Sequence, residues 1–337
     1  MTRAGAIAAI GECMVELVDH GPAGGDGLGQ GWMRRGFGGD TLNTSVYLAR
    51  LGVPVAYITQ LGDDVYSDEM VRAWNQEGVE TDLTARKPGA QPGLYAIRTD
   101  ANGERSFAYW RWNAPVRTMV TDGVLDRLHA ELDRFAVLYL SGITLSLFDP
   151  AQRRRLFALC EEARGHGLSV AFDTNHRPRC WPSAAAAGDA YDRMAAIADT
   201  VMPSWEDCQA VYADTEPEQA AQRFARRGVR TVVIKQGADG AGLYTDGRWR
   251  TAPGVPVARP VDTSAAGDSF NAGFLAARRA GASVDAAAAA GNRLAAVVIG
   301  HKGAIVPRDS FQAPDLSDLT PRDPARPSAR NGADQPS

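Results

Sequence analysis

Lysine, histidine and cysteine are scarce in this chain of 337 residues. Lys87, Lys235 and Lys302 are the only lysines; the rest of the 36 basic residues are arginine. The four cysteines, at 13, 160, 180 and 208, form no C-x-x-C pair, and no histidine pattern completes a zinc site. They read as free thiols of a reducing compartment, which excludes a disulfide-stapled fold and points to the cytoplasm. No apolar run is long enough to span a bilayer. The longest, Asp285 to Ile299, is broken by Gly291, Asn292 and Arg293. The first residues, Met1 to Gly11, lack a basic start, a long apolar stretch and a cleavage site, and do not read as a signal peptide. Charge of one sign is not in excess either. Basic residues number 36 against 40 acidic, for a net charge of −4, so nucleic-acid binding by bulk electrostatics is excluded.

What is present is a composition suited to a large soluble core, 45% hydrophobic and 23% charged. Short apolar runs alternate with helical spacing. Strands are expected at Ala6 to Ile10, Val15 to Val18, Val55 to Thr59, Val137 to Leu140, Ser169 to Phe172, Thr200 to Met202, Thr231 to Lys235 and Ala241 to Tyr244. Helices are expected at Thr41 to Leu51, Asp68 to Glu77, Gln152 to Arg164, Glu218 to Arg227, Gly267 to Arg279 and Val284 to Ile299. This alternation predicts an α/β fold with a mostly parallel sheet covered on both faces. Tyr95 to Thr99 and Ser106 to Trp112, joined by Asp100-Ala101-Asn102-Gly103, interrupt it as a hairpin. Gly21 to Gly31 reads as a loop, and the polar chain from Asp315 onward as a disordered tail.

Two glycine-rich segments carry chemistry. In Val261 to Gly273, small residues lead into a helix whose first N–H groups have no internal acceptor. Ala265, Ala266 and Gly267 would let an anion approach that backbone, with Asp268 at the mouth as a proton acceptor. An ordinary helix N-terminus with an acid in its first turn fits the residues equally well. In Gly36 to Asn43, Gly38 and Gly39 permit close approach, and Asp40 and Asn43 can bind sugar hydroxyls; a plain helix cap is the alternative.

Together the segments resemble the ribokinase/PfkB carbohydrate kinases. Gly38, Gly39, Asn43, Ser45, Gly52 and Gly62 meet the first family pattern, and Asp262 to Phe270 meets D-T-x-A-A-G-D-x-F, with Ser264 replacing a common threonine. The likeness runs from about Ile7 to Pro307. Within the family it is strongest to kinases of 2-keto-3-deoxygluconate, through Ile10 to Met14, Arg35 to Thr44, Tyr109-Trp110-Arg111, Leu140 to Ile143, Asn175 to Arg179 and His301 to Arg308.

The resemblance implies a ribokinase-like three-layer α/β/α kinase domain over residues 1–314. A small β-sheet lid, from about Val15 to Arg35 and Gly93 to Arg117, would cover the sugar and pair chains as a homodimer or higher homo-oligomer. It implies ATP and Mg²⁺, no membrane and no nucleic acid, and phosphoryl transfer to the C6 hydroxyl with Asp268 as base. Asp268 is expected to need no raised pKa, because a positive helix end favours the carboxylate. Arg111 and Arg177 would clamp the sugar carboxylate, since arginine suits it. Tyr95 and Tyr109 would add rings and hydroxyls. Lys235, Gly237, Ala238 and Gly240 fit the K-x-G-x-x-G stretch of the ATP site, also readable as a hairpin turn. Ser204-Trp205-Glu206-Asp207 stands where the family has N-x-x-E, leaving Glu206 or Asp207 to organise Mg²⁺. Asn175 would approach ATP or sugar, and Asp262 would hold K⁺ beside the hole. The alternatives are a kinase of the same family for fructose or a deoxy-inositol acid, and a non-catalytic sugar or nucleotide sensor. A nicotinamide-dependent dehydrogenase is disfavoured, because no G-x-G-x-x-G follows the first strand.

Overall fold

In the computed structural model the described residues are 5–22, 31–99 and 105–316. The strands are β1 (Ala6–Ile10), β2 (Met14–Pro22), β3 (Gly31–Gly38), β4 (Val55–Ile58), β5 (Gln60–Gly62), β6 (Ala85–Lys87), β7 (Leu94–Thr99), β8 (Arg105–Trp110), β9 (Phe135–Ser141), β10 (Ser169–Asp173), β11 (Thr200–Val201), β12 (Thr231–Lys235), β13 (Gly240–Thr245) and β14 (Arg248–Pro253). The helices are α1 (Asp40–Arg50), α2 (Val65–Glu77), α3 (Val124–Ala130), α4 (Gly142–Ser146), α5 (Pro150–Gly165), α6 (Ala184–Ala195), α7 (Trp205–Tyr212), α8 (Pro217–Ala225), α9 (Ala266–Arg279) and α10 (Val284–Ile299).

Eight strands form the central sheet in the order β14-β13-β12-β11-β10-β9-β1-β4. From β4 through β12 neighbours run parallel; β13 and β14 add an antiparallel edge. Alternate residues of each strand feed opposite cores. Ile7, Ala9, Val137 and Tyr139 pack with α1, α2, α9 and α10. Ala8, Ile10, Leu138 and Leu140 pack with α3, α5, α6 and α8. Burial on both faces explains why these strands read as continuous apolar runs.

Several elements depart from the sequence expectation. Helix α2 starts at Val65, not Asp68, because Asp64 caps it by accepting from the Tyr66 and Ser67 N–H groups at 2.9 and 3.3 Å. The alanine-rich α6 went unpredicted, although Ser183 caps it by accepting from Ala186 N–H at 3.1 Å. The hairpin forms with Tyr95 opposite Tyr109, while its Asp100–Gly103 turn lies outside the described residues. So do most of the Gly21–Gly31 loop and nearly all of the tail expected from Asp315.

The hairpin belongs to a second, four-stranded sheet ordered β3-β2-β7-β8. Its bounds differ from those expected for a lid. It ends at Trp110 rather than near Arg117, because Ala114 and Val116 are drawn into the main core, and β3 continues to Gly38. The chain leaves β3 for α1 through Gly38 and Gly39, where space is tight. A Cβ on Gly39 would lie 2.1 Å from the Glu12 backbone oxygen, and one on Gly38 would lie 2.1 Å from the Tyr95 hydroxyl. Backbone cannot retreat as a side-chain tip can. Gly39→Ala is therefore expected to lower stability by about 1–3 kcal/mol, and Gly38→Ala by less, read as midpoints of urea denaturation. Equal midpoints for the two variants would contradict this packing.

Candidate active site

Parallel strands deliver their carboxyl ends to one edge of the sheet, the edge where open α/β sheets bind ligands. Glu12 follows β1, Ser141 closes β9, Asp173 closes β10 and Lys235 closes β12. Asp173 and Ser141 lie side by side in register. The N-termini of α1 and α9 bring Asp40 and Asp268 to the same edge.

Asp268 is buried, 8% exposed. Asn43 Nδ2 donates to its Oδ2 at 2.9 Å, across 225 residues of sequence. Thr44 Oγ1 donates to the Asp268 carbonyl at 3.1 Å. The two glycine-rich segments thus meet directly. Burial raises the Asp268 pKa to about 7, with Asp40 and Asp173 adding to the rise while Asn43 and Lys235 oppose it. The helix end does not dominate in the way expected from the sequence: desolvation and neighbouring carboxylates outweigh it. Burial also raises Asp40, against hydrogen bonds from Ser141, the Thr41 N–H and Asn175, whose Nδ2 donates at 2.9 Å. Asn175 sits at φ 30°, a left-handed conformation asparagine tolerates, and its N–H closes a turn onto Asp173 Oδ1 at 3.1 Å.

Lys235 Nζ donates to Asp173 Oδ2 at 2.8 Å and to Asn271 Oδ1 at 3.4 Å. Asn271 Nδ2 donates to Asp173 Oδ2 at 2.6 Å and to the Tyr139 hydroxyl at 3.1 Å. This fixed lysine borders the start of α9, since a Cβ on Gly267 would lie 3.4 Å from Nζ. Ala265 takes φ 58° just before the helix, and the Ala266 N–H is spent on the Thr263 carbonyl at 3.2 Å. The N–H groups of Gly267 and Asp268 stand in the first turn, where a helix has no internal acceptor for them.

A cavity of about 350 Å³ opens here. Its wall includes Asn175, Arg177, Ser204, Glu206, Asp207, Lys235, Gly237, Gly240 and Ala265 to Asp268. Ala238, expected with them, is not in the wall; its carbonyl packs where a Cβ on Gly254 would lie 2.1 Å away. Gly237–Asp239 is a tight turn between the antiparallel β12 and β13, which fits the hairpin-turn reading of that motif. Ser204 caps α7, accepting from the Asp207 N–H at 3.0 Å. Asp207 is buried and its Oδ2 accepts from Thr174 Oγ1 and the His176 N–H at 2.6 and 3.1 Å, whereas Glu206 is exposed. Asp262 accepts from the N–H groups of Ser264 and Gly303, each at 2.9 Å. Among the described residues no cluster of three or more His, Cys, Asp or Glu forms a metal cage.

The small sheet joins the core close to this edge, through Glu12 and Arg111. Arg111 is buried and paired with Glu12, and its Nη1 donates to Cys180 Sγ at 3.3 Å. Tyr95 and Tyr109 stack with centroids 6.0 Å apart. The Tyr95 hydroxyl is already committed, donating to Glu16 Oε2 at 2.5 Å. Tyr109 is exposed, and Arg177, Arg111 and Arg179 all act on its hydroxyl. Arg177 is exposed and donates to the His176 carbonyl at 3.0 Å.

Sequence reasoning missed Asp173, Asn271, Tyr139 and Thr44. An acid closing an apolar strand was the available signal for Asp173. A polar residue on the buried face of an apolar helix was the signal for Asn271. Nothing local marks Tyr139.

A model of the pfkB family carbohydrate kinases matches residues 5–310. A 2-dehydro-3-deoxygluconokinase of Escherichia coli K12 is 41% identical over 314 residues, covering 91% of this chain and 99% of the relative. One from Dickeya dadantii is 40% identical, with 91% and 98% covered. The structure of a fructokinase with bound ATP from Xylella fastidiosa superposes with a TM-score of 0.79 at 22% identity, over 93% of this chain and 96% of that one. The fold is ribokinase-like. With two family segments joined by the Asn43–Asp268 hydrogen bond and a family match over nearly all the described residues, the chain belongs to the pfkB family of carbohydrate kinases.

Proposed function

We propose that the chain transfers the γ-phosphoryl group of ATP to the C6 hydroxyl of 2-keto-3-deoxygluconate, giving 2-keto-3-deoxy-6-phosphogluconate and ADP. The observation that carries this reading is the bond from Asn43 to Asp268, which sets the residue we assign to the sugar against a buried carboxylate beside a cavity. The relatives named for this substrate support the choice of sugar. So does the positive field of Arg177, Arg111 and Arg179, which opposes the rise that burial gives the Tyr109 hydroxyl and suits an acidic sugar.

Asp268 takes the hydroxyl proton as the oxygen attacks phosphorus in line. The bond to the bridging oxygen of ADP breaks, and ADP departs. Charge on the transferring group is met by the N–H groups of Gly267 and Asp268 and by Lys235, held in place by Asp173. The residues present fit a hydrated Mg²⁺, because a hard cation that keeps its waters needs only one or two carboxylates. Bound with the phosphates, Mg²⁺ would neutralise their charge. Glu206, exposed on the cavity wall, is the carboxylate we assign to its waters, while Asp207 braces the loop at Thr174. A K⁺ beside Asp262 would use the second lone pairs of oxygens that already accept backbone N–H groups. Trp110 and Trp112 are exposed at the end of β8 and just after it, the patch we assign to pairing of chains as a homodimer or higher homo-oligomer. No helix among the described residues is long and apolar enough to cross a membrane.

Two outcomes test the mechanism. Asp268→Asn should lower kcat by about 10²–10⁴-fold and leave ATP binding, read by calorimetry, nearly intact. Unchanged turnover would sink the role. The raised pKa also sets a pH dependence. A base works only when ionised, so kcat/KM for the sugar at saturating ATP and Mg²⁺ should rise about tenfold per unit below pH 7 and level off above it. A profile flat down to pH 5 would contradict a buried, elevated carboxyl.

A further inference from the structure

Four chain crossings connect the small sheet to the core, and a buried ion pair fastens the first of them to the last. Glu12 lies just ahead of β2, and Arg111 is the residue after β8. They are 3% and 8% exposed, and their side chains pair directly. The crossings between them are narrow. Gly39 leaves no room beside the Glu12 carbonyl, and a Cβ on Gly93 would lie 3.2 Å from that of Arg111. Apart from this ion pair, neither Glu12 oxygen has a hydrogen-bond partner, nor has Arg111 Nε. A guanidinium buried at a sugar site with a donor unmatched is presented to an acceptor that the protein does not provide.

We propose that Glu12 is a positioning residue for the sugar acid: it holds Arg111 at the root of the small sheet, so that the guanidinium keeps its aim. The inference rests on the proposed function, because it takes Arg111 as a contact to substrate. The physical content is directional. Glu12 grips Arg111 from the end of β1, on the rigid sheet, and Cys180 Sγ accepts from Nη1. Nε is buried with neither of these partners on it, so the guanidinium is held by its Nη atoms alone. Loss of Glu12 frees the arginine to turn and leaves its charge buried without a partner.

A double-mutant cycle tests this. KM for 2-keto-3-deoxygluconate and for ATP is measured on the full chain carrying Glu12→Gln, Arg111→Met or both. Glu12→Gln should raise the sugar-acid KM about tenfold and leave the ATP KM unchanged. In the Arg111→Met background it should add nothing. An unchanged sugar-acid KM would overturn the proposal. So would an equal loss in both backgrounds, or a joint rise in both KM values, which marks a purely structural role. Should Glu12→Gln fail to fold, Glu12→Asp, which keeps the charge on a shorter arm, enters the same cycle with the same criteria. Failure of the functional reading looks different. Wild-type turnover of a neutral sugar alone would overturn the substrate assignment, and the cycle run on that sugar would still read whether Glu12 acts through Arg111.

Discussion

Buried carboxylates crowd one edge of the sheet, three of them around a single lysine, and the site is organised around their cost. Asp40, Asp173 and Asp268 are 8%, 1% and 8% exposed. Carboxylates out of water must be paired, hydrogen-bonded or protonated. Asp173 is paired with Lys235. Asp40 and Asp268 have amide donors, Asn175 and Asn43, which satisfy a lone pair without cancelling the charge. Under the proposed function the result is a proton acceptor poised near neutrality beside N–H groups that receive a developing negative charge. The Asn43–Asp268 bond also ties α1 to α9, so the geometry of the site and the packing of one face of the sheet are a single arrangement.

Much of this was legible because it is local. Strands buried on both faces leave continuous apolar runs, and their order along the chain predicts a parallel sheet. The segments at Gly36 to Asn43 and Asp262 to Phe270 announce helix N-termini with small residues ahead of them. What was illegible is pairwise. No spacing rule brings Asn271 and Tyr139 to Asp173, because α9 reaches β9 and β10 only through the folded sheet. The elevated Asp268 follows from neighbours contributed by α1 and β10, and from burial by the whole edge. The small sheet was misjudged at its ends for a related reason: Ala114 and Val116 have no signal separating them from the hairpin until the core claims them.

The small sheet and the core meet through residues that are either too small to clash or paired in burial. Glycines at 38, 39 and 93 set how closely the crossings pack, and Glu12 with Arg111 sets their orientation. Under the proposed function, recognition of the sugar acid and attachment of the sheet depend on the same guanidinium, and substitutions far from the transferring phosphoryl group alter substrate affinity through it.

The most direct measurement is ADP release with ATP and Mg²⁺ over a panel of 2-keto-3-deoxygluconate, its galactonate epimer, fructose, ribose and gluconate. The account predicts turnover whose kcat/KM favours the keto-deoxy acids over the neutral sugars. Turnover confined to a neutral sugar would contradict it.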